Sequence, residues 1–175
     1  QGWGISDIEN AIGTPLNSVS YTGSNNDYIS VEEASIVLPE DSSQYFWKNH
    51  YDEDVHPNYD PVNYDLSKAH TSNVVNMKQI FYGVDDFNQD ISSWDTSNVT
   101  NMRAVFRKNS VFNQDINNWD TSSVNDMGSM FLGAADFNQP LSNWDTSNVV
   151  DMWHMFSKAY SFNQDISSWN TSNVT

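Results

Sequence analysis

Apolar residues in the second half of the chain fall at a few fixed places, and those places recur at a constant interval. Phe87, Phe112, Phe137 and Phe162 each open a phrase that runs Phe-Asn-Gln, then Asp or Pro, then Ile or Leu. Trp94, Trp119, Trp144 and Trp169 keep the same register, as do Val99, Val124, Val149 and Val174, then Met102, Met127 and Met152, then Phe106, Phe131 and Phe156. A weaker copy precedes them: Leu66, Val74, Met77 and Phe81 stand one period ahead of their counterparts. A fixed period of about 25 residues marks units that cannot bury their own apolar face and stack to do so. The units are 62–86, 87–111, 112–136, 137–161 and a partial 162–175, preceded by an acidic segment 1–61 without the repeat.

Within one unit the spacing of apolar positions changes. From Ser97 to Lys108 the residues Val99, Met102, Val105 and Phe106 fit a helical stripe. Thr96 or Ser97 is placed as its cap, Arg107 and Lys108 lie near its negative end, and Gly83 and Gly133 stand just past the equivalent helices. The shorter stretch from Gln89 to Trp94, followed by the turn formers Asp95-Thr96-Ser97, predicts a strand. One short strand and one helix in every unit predicts an α/β fold, a leucine-rich-repeat-like right-handed solenoid. In segment 1–61, Ser6 to Glu9 has capping-box spacing, Ser18–Tyr21 and Tyr28–Leu38 read as strands, and Asp41–Tyr51 reads as a helix. These make a small α+β cap over the first coil.

The Phe-Asn-Gln-Asp, Trp-Asp-Thr-Ser and Met-Phe elements between Val62 and Thr175 resemble the repeats of the BspA-like bacterial leucine-rich surface proteins, known from mycoplasma lipoproteins. The resemblance implies a surface-associated, adhesive role and the right-handed solenoid, and it brings no catalytic residue. Pro140 and Asn170 replace the usual Asp, and Ala69-His70 replaces Trp-Asp, which makes the first unit an atypical one.

Composition narrows the function. The formal charge is −16 with seven Lys and Arg in 175 residues, which excludes a nucleic-acid binder relying on clustered cations. No cysteine is present, so stability rests on packing and no thiolate metal site exists. No apolar run reaches the roughly 18 to 20 residues of a transmembrane helix. The start at Gln1 is the expected form of a processed mature end, and the array breaking off after Val174 is expected to be continued or covered by other residues. An extracellular location follows as the expectation. Asn98, Asn170 and Asn173 head glycosylation sequons.

Stacking turns repeated residues into columns, and each column has a structural and a functional reading. Asp95, Asp120 and Asp145 either cap their local turns or, at about 4.8 Å spacing, share calcium. Asn88, Asn113, Asn138 and Asn163 are expected to form an internal amide ladder rather than a ligand site. Trp94, Trp119, Trp144 and Trp169 are expected as a core spine rather than a sugar platform. His50, Asp52, Glu53, Asp54 and His56 form an acidic loop with incidental histidines or a transition-metal site of no familiar spacing. No nucleophile elbow, zinc-protease motif or phosphate loop occurs, so the chain is expected to be no enzyme, with no cofactor other than calcium. The expected function is adhesion through one face to a surface protein or glycan. The alternatives are a subunit making homotypic head-to-tail contacts in a filament and, last, a glycan-processing enzyme using a carboxylate pair.

Overall fold

Asp65 takes the N-cap of a three-residue 3-10 helix, Leu66–Lys68, and its carboxylate accepts from the Ser67 amide at 3.1 Å. In this computed structural model, which describes residues 38–43, 45–46 and 65–175, that is the one helical element among the described residues. Extended pairing there includes isolated parallel bridges joining Asp41, Asn76, Asn101, Asp126 and Asp151 in turn, and His70 is a further bridge residue. The α/β leucine-rich-repeat-like solenoid is therefore corrected. Neither the strand expected over Gln89–Trp94 nor the helix expected over Ser97–Lys108 forms, in this unit or its counterparts.

What the repeat builds instead is a stack of layers made from turns. Along Met102–Asn109 the backbone amides alternate between two kinds of acceptor. Val105, Arg107 and Asn109 donate to Met102, Ala104 and Phe106, three residues back, closing successive turns. Met102, Ala104, Phe106 and Lys108 donate instead to Asp126, Gly128, Met130 and Leu132 in the next layer. The same alternation runs from Met77 to Val84 and from Met127 to Ala134. Every amide of the stretch is satisfied without an α-helical i to i−4 bond.

Backbone handedness explains why the helix fails. Gln79, Ala104, Ser129 and His154 share one column and have φ between 54° and 60°. Gly83, Lys108, Gly133 and Lys158 share another, with φ between 62° and 79°. A left-handed residue every fourth position cannot continue a right-handed helix, but it does allow turns to follow one another. The apolar stripe survives because turns closed over three residues also return side chains inward every three or four positions. Val99, Met102, Val105 and Phe106 are all buried. Gly83 and Gly133 do hold the left-handed conformation their sequence position suggested, as turn residues rather than helix caps.

The core is a set of aromatic columns. Phe81, Phe106, Phe131 and Phe156 stack at 5.8, 5.7 and 5.5 Å between ring centroids. Phe87, Phe112, Phe137 and Phe162 stack at 6.1, 6.0 and 5.9 Å. The two columns touch within each layer, at 3.8 Å for Phe106 and Phe112. Each fully buried ring contributes about 1.5–3 kcal/mol by leaving water, and each offset pair roughly 0.5–1.5 kcal/mol more.

Residues 41–43, 45 and 46 lie on the first layer in the way a preceding layer would. Ser42 and Phe46 donate to the Asn76 and Ile80 carbonyls at 2.9 and 3.0 Å. The Phe46 ring stacks on Phe81 at 5.5 Å and 3°, repeating the Phe81–Phe106 geometry. Asp41, Ser43, Tyr45 and Phe46 are thus in a bridge and turns, which corrects the helix expected over Asp41–Tyr51 as far as the described residues reach. The Ser6–Glu9 helix and the Ser18–Tyr21 strand lie outside the described residues, as does the Tyr28–Leu38 strand except for Leu38.

Candidate binding face

Two or three side-chain carbonyls or carboxylates in each full layer close turns of their own. Asp95 and Asp120 each accept from the amide and hydroxyl of the serine two residues on, at 3.1 and 2.6 Å to Ser97 and at 2.9 and 2.6 Å to Ser122. Asp145 accepts from the Ser147 amide at 2.9 Å, and Asn170 does the same for Ser172. Asp90, Asp115 and Asp165 repeat the device at a second corner, and Asn76, Asn101, Asp126 and Asp151 at a third. Hydrogen bonds from the serine hydroxyl and amide hold the carboxyls of Asp95 and Asp145 below their ordinary value. In the column singled out for calcium, Oδ1 of each aspartate is thus engaged by its own turn. Among the described residues no three acidic or histidine groups come together as a metal-holding cluster. His50, Asp52, Glu53, Asp54 and His56 lie outside the described residues.

The tryptophans sit inside. Trp94, Trp119 and Trp144 are 4, 2 and 4 % exposed, and Trp169 is half-buried in the last layer. Their indole nitrogens donate to Leu66, Ile91, Ile116 and Leu141 carbonyls at 2.8–3.1 Å, each reaching back to the preceding layer. The asparagines do form a ladder, but on the surface. Asn88 Oδ1 accepts from the Asn113 amide and Gln114 Nε2, Asn113 Oδ1 from Asn138 and Gln139, and Asn138 Oδ1 from Asn163 and Gln164, all at 2.9–3.1 Å. Asn88 and Asn163 are exposed and the two between are half-buried, so the internal position expected for this ladder is corrected. The sequon asparagines Asn98, Asn170 and Asn173 are all exposed. Asn98 and Asn173 spend Nδ2 on the Ser72 and Ser147 carbonyls at 2.8 and 2.6 Å, whereas Asn170 uses its oxygen.

One arc of each layer is nearly constant and the other is not. From Phe to Val, as in 87–99, the layers after the atypical first one differ at few positions, and the exposed residues are Asp, Asn and Ser apart from Lys68, His70, Pro140 and Thr171. From 100 to 111 and in its counterparts the exposed positions change from layer to layer. Lys78, Arg103, Gly128 and Trp153 share one column; Tyr82, Arg107, Leu132 and Ser157 share another. Of the described cations, Lys78, Arg103, Arg107, Lys108 and Lys158 lie on this arc and only Lys68 on the other. Among the described residues the exposed large apolar ones, Val111, Val150, Trp153 and Tyr160, lie on it too, with Trp153 60 % and Tyr160 80 % exposed. The repeating columns do not mark this arc, and its signal in the sequence is failure to repeat.

Arg103 is committed within the arc. Its guanidinium crosses the side-chain-free Gly128 to reach Asp151 Oδ2 at 2.7 Å, two layers on, with Asp126 Oδ1 at 3.6 Å. A Cβ on Gly128 would stand 2.7 Å from the Arg103 nitrogen. Arg107 and Lys108 both sit 5.4 Å from the centre of the Tyr82 ring, an attraction between cation and ring face. At the far end of the stack Met152, Met155, Phe156, Ile166 and Trp169 line an open apolar depression.

A sequence-family profile described as "Mycoplasma protein of unknown function, DUF285" matches residues 53–144 and again 116–175, more than half of the chain between them. The chain belongs to this family. The two matches overlap across the third and fourth layers, as expected where a profile longer than one unit slides along a repeat. No curated protein and no solved structure matches. Among the described residues no helix is long and apolar enough to cross a membrane.

Proposed function

We propose that this chain is an extracellular surface module of the BspA-like kind that binds a protein or glycan through the variable arc of its layers. The observation that carries this reading is the separation of roles between the two arcs. The constant arc supplies the turn-closing carboxylates, the amide ladder and the buried tryptophan column. The other arc carries the exposed aromatics and nearly all the described cations, and of these Trp153, Tyr160 and Lys158 make no ion pair or hydrogen bond from their side chains to another layer among the described residues. Residues that a scaffold does not require and that sit exposed together are where recognition is placed. Layer stacking presents them as a rigid, extended surface of the sort repeat proteins use to engage large partners.

An array of glycans and extracellular-matrix proteins probed with labelled protein tests this. Binding to at least one component is expected, weakened by Trp153→Ser with Tyr160→Ser and unaffected by Asn118→Ser with Asn143→Ser on the constant arc. Absence of binding to the whole array, or equal weakening by both pairs, would overturn it.

A further inference from the structure

Lysine stands where the stack favours glycine. Gly83, Lys108, Gly133 and Lys158 form one column, linked by the Gly83 amide to the Arg107 carbonyl, the Lys108 amide to Leu132 and the Gly133 amide to Ser157. All four residues are left-handed, with φ of 73°, 62°, 79° and 62°. Glycine adopts this conformation freely, whereas a residue with a Cβ is strained there. The alternate layers show that glycine serves the fold, so the two lysines are retained against the backbone preference. The column four residues earlier carries side chains at left-handed φ in every layer, so what marks the two lysines is that they are exposed and alternate with glycine.

Their surroundings say what that use is. Lys108 and Lys158 are both exposed, and no ion pair joins either to a carboxylate of the described residues. Gly133 lies between them without a side chain, so their backbones are two layer spacings apart, about 10 Å at the spacing of parallel-paired chains. In the two lysine layers the following residues are Ser110-Val111 and Tyr160-Ser161, while the glycine layers carry Asp85-Asp86 and Asp136 at these places. Arg107 adds a third cation beside Lys108 on the Tyr82 ring, and Tyr160 follows Lys158 by two residues with an almost fully exposed ring.

We infer that Lys108, Lys158 and Arg107 form an anion-reading strip, and that its ligand is a polysaccharide bearing sulfate or carboxylate groups. Lysine supplies compact point charges for successive anionic groups, and exposed Tyr160 and Trp153 supply flat faces for sugar rings. A chain of net charge −16 is repelled by polyanions as a whole, so only a local strip can hold one. Asp85, Asp86 and Asp136 stand in the adjoining glycine layers of the same arc, so the strip is confined to the lysine layers, and at physiological salt the aspartates of the constant arc are screened beyond about 8 Å. The inference rests on the variable arc being the binding face.

Immobilised heparin and immobilised neutral dextran are the probes, with wild-type protein and the Lys108→Gly/Lys158→Gly double variant. Glycine is the residue of the neighbouring layers, so the variant keeps the fold, with a melting temperature equal to or above that of wild type. Retention of wild type on heparin, elution by salt, passage through dextran and loss of heparin retention in the double variant are expected. Passage of wild type through heparin, or equal retention of the double variant, would overturn the strip. Array binding that survives the double substitution would do so as well, while leaving the variable arc as the binding face.

Discussion

Trp119 shows how much a single side chain holds. Its ring lies between the layers at 2 % exposure, stacked on Trp94 at 6.3 Å, and its indole nitrogen donates to the Ile91 carbonyl at 3.1 Å. Trp119→Ala should cost about 3–5 kcal/mol, and Trp119→Phe about 1–3 kcal/mol for the carbonyl left without its donor, read by urea denaturation. Asp145 gives the opposite case, an exposed group whose role is local. Asp145→Asn keeps the turn-closing oxygen, as Asn170 does in the same column, and should be near neutral at pH 7. Asp145→Ala loses the bond and should cost about 0.5–1 kcal/mol, at the low end because the site is solvated. The carboxyls of Asp90, Asp95, Asp145 and Asp151 are depressed, chiefly by hydrogen bonds from the serine or tryptophan two residues on. Their contribution is complete above the unfolded value near 3.9 and is lost as pH falls through the folded values. Stability should therefore be level from neutral pH to about 5 and fall below about 4, with a shallower fall in the Asp145→Asn variant. A melting temperature constant down to pH 3 would contradict this assignment.

At the level of elements, the sequence disclosed the period and the buried residues, and it misled on the backbone. Phe, Trp, Val and Met columns were legible because burial depends on side-chain chemistry at a fixed register. The helix was misread because helices and chains of three-residue turns return apolar groups at similar spacing, and the residue that separates them carries no signature. Ala104, the best helix former, holds φ of 56°. The glycines at Gly83 and Gly133 were the visible clue, since the same column holds Lys108 and Lys158 and a helix cap would not alternate in this way. Substitution Ala104→Gly separates the two readings by sign. In a helix interior it would destabilise by about 1 kcal/mol. At a left-handed turn position it should stabilise by about 1 kcal/mol, which equilibrium unfolding resolves. Residues 41–46 were invisible for a different reason. They match the 76–81 stretch at a longer offset than the repeat period, and only Gln44 and Phe46 keep their identity.

For the whole molecule, the layers behave as interchangeable units joined by the same bonds. The Met102 amide meets the Asp126 carbonyl as Met127 meets Asp151, and the Thr96 hydroxyl meets Asp120 as Thr121 meets Asp145. The candidate face was hardly legible beforehand, because it is defined by what differs between layers once stacking has placed the columns side by side. A stack of this kind has a stability close to the sum of its layer and interface terms. Removing residues 112–136 joins Val111 to Phe137 and leaves each remaining layer facing the bonds it is built to accept. The shortened chain should remain soluble and cooperatively folded, with an unchanged circular dichroism spectrum per residue and a lower melting temperature. An unfolded or aggregated product, or a spectrum with helical bands in either protein, would contradict the stacked-turn account.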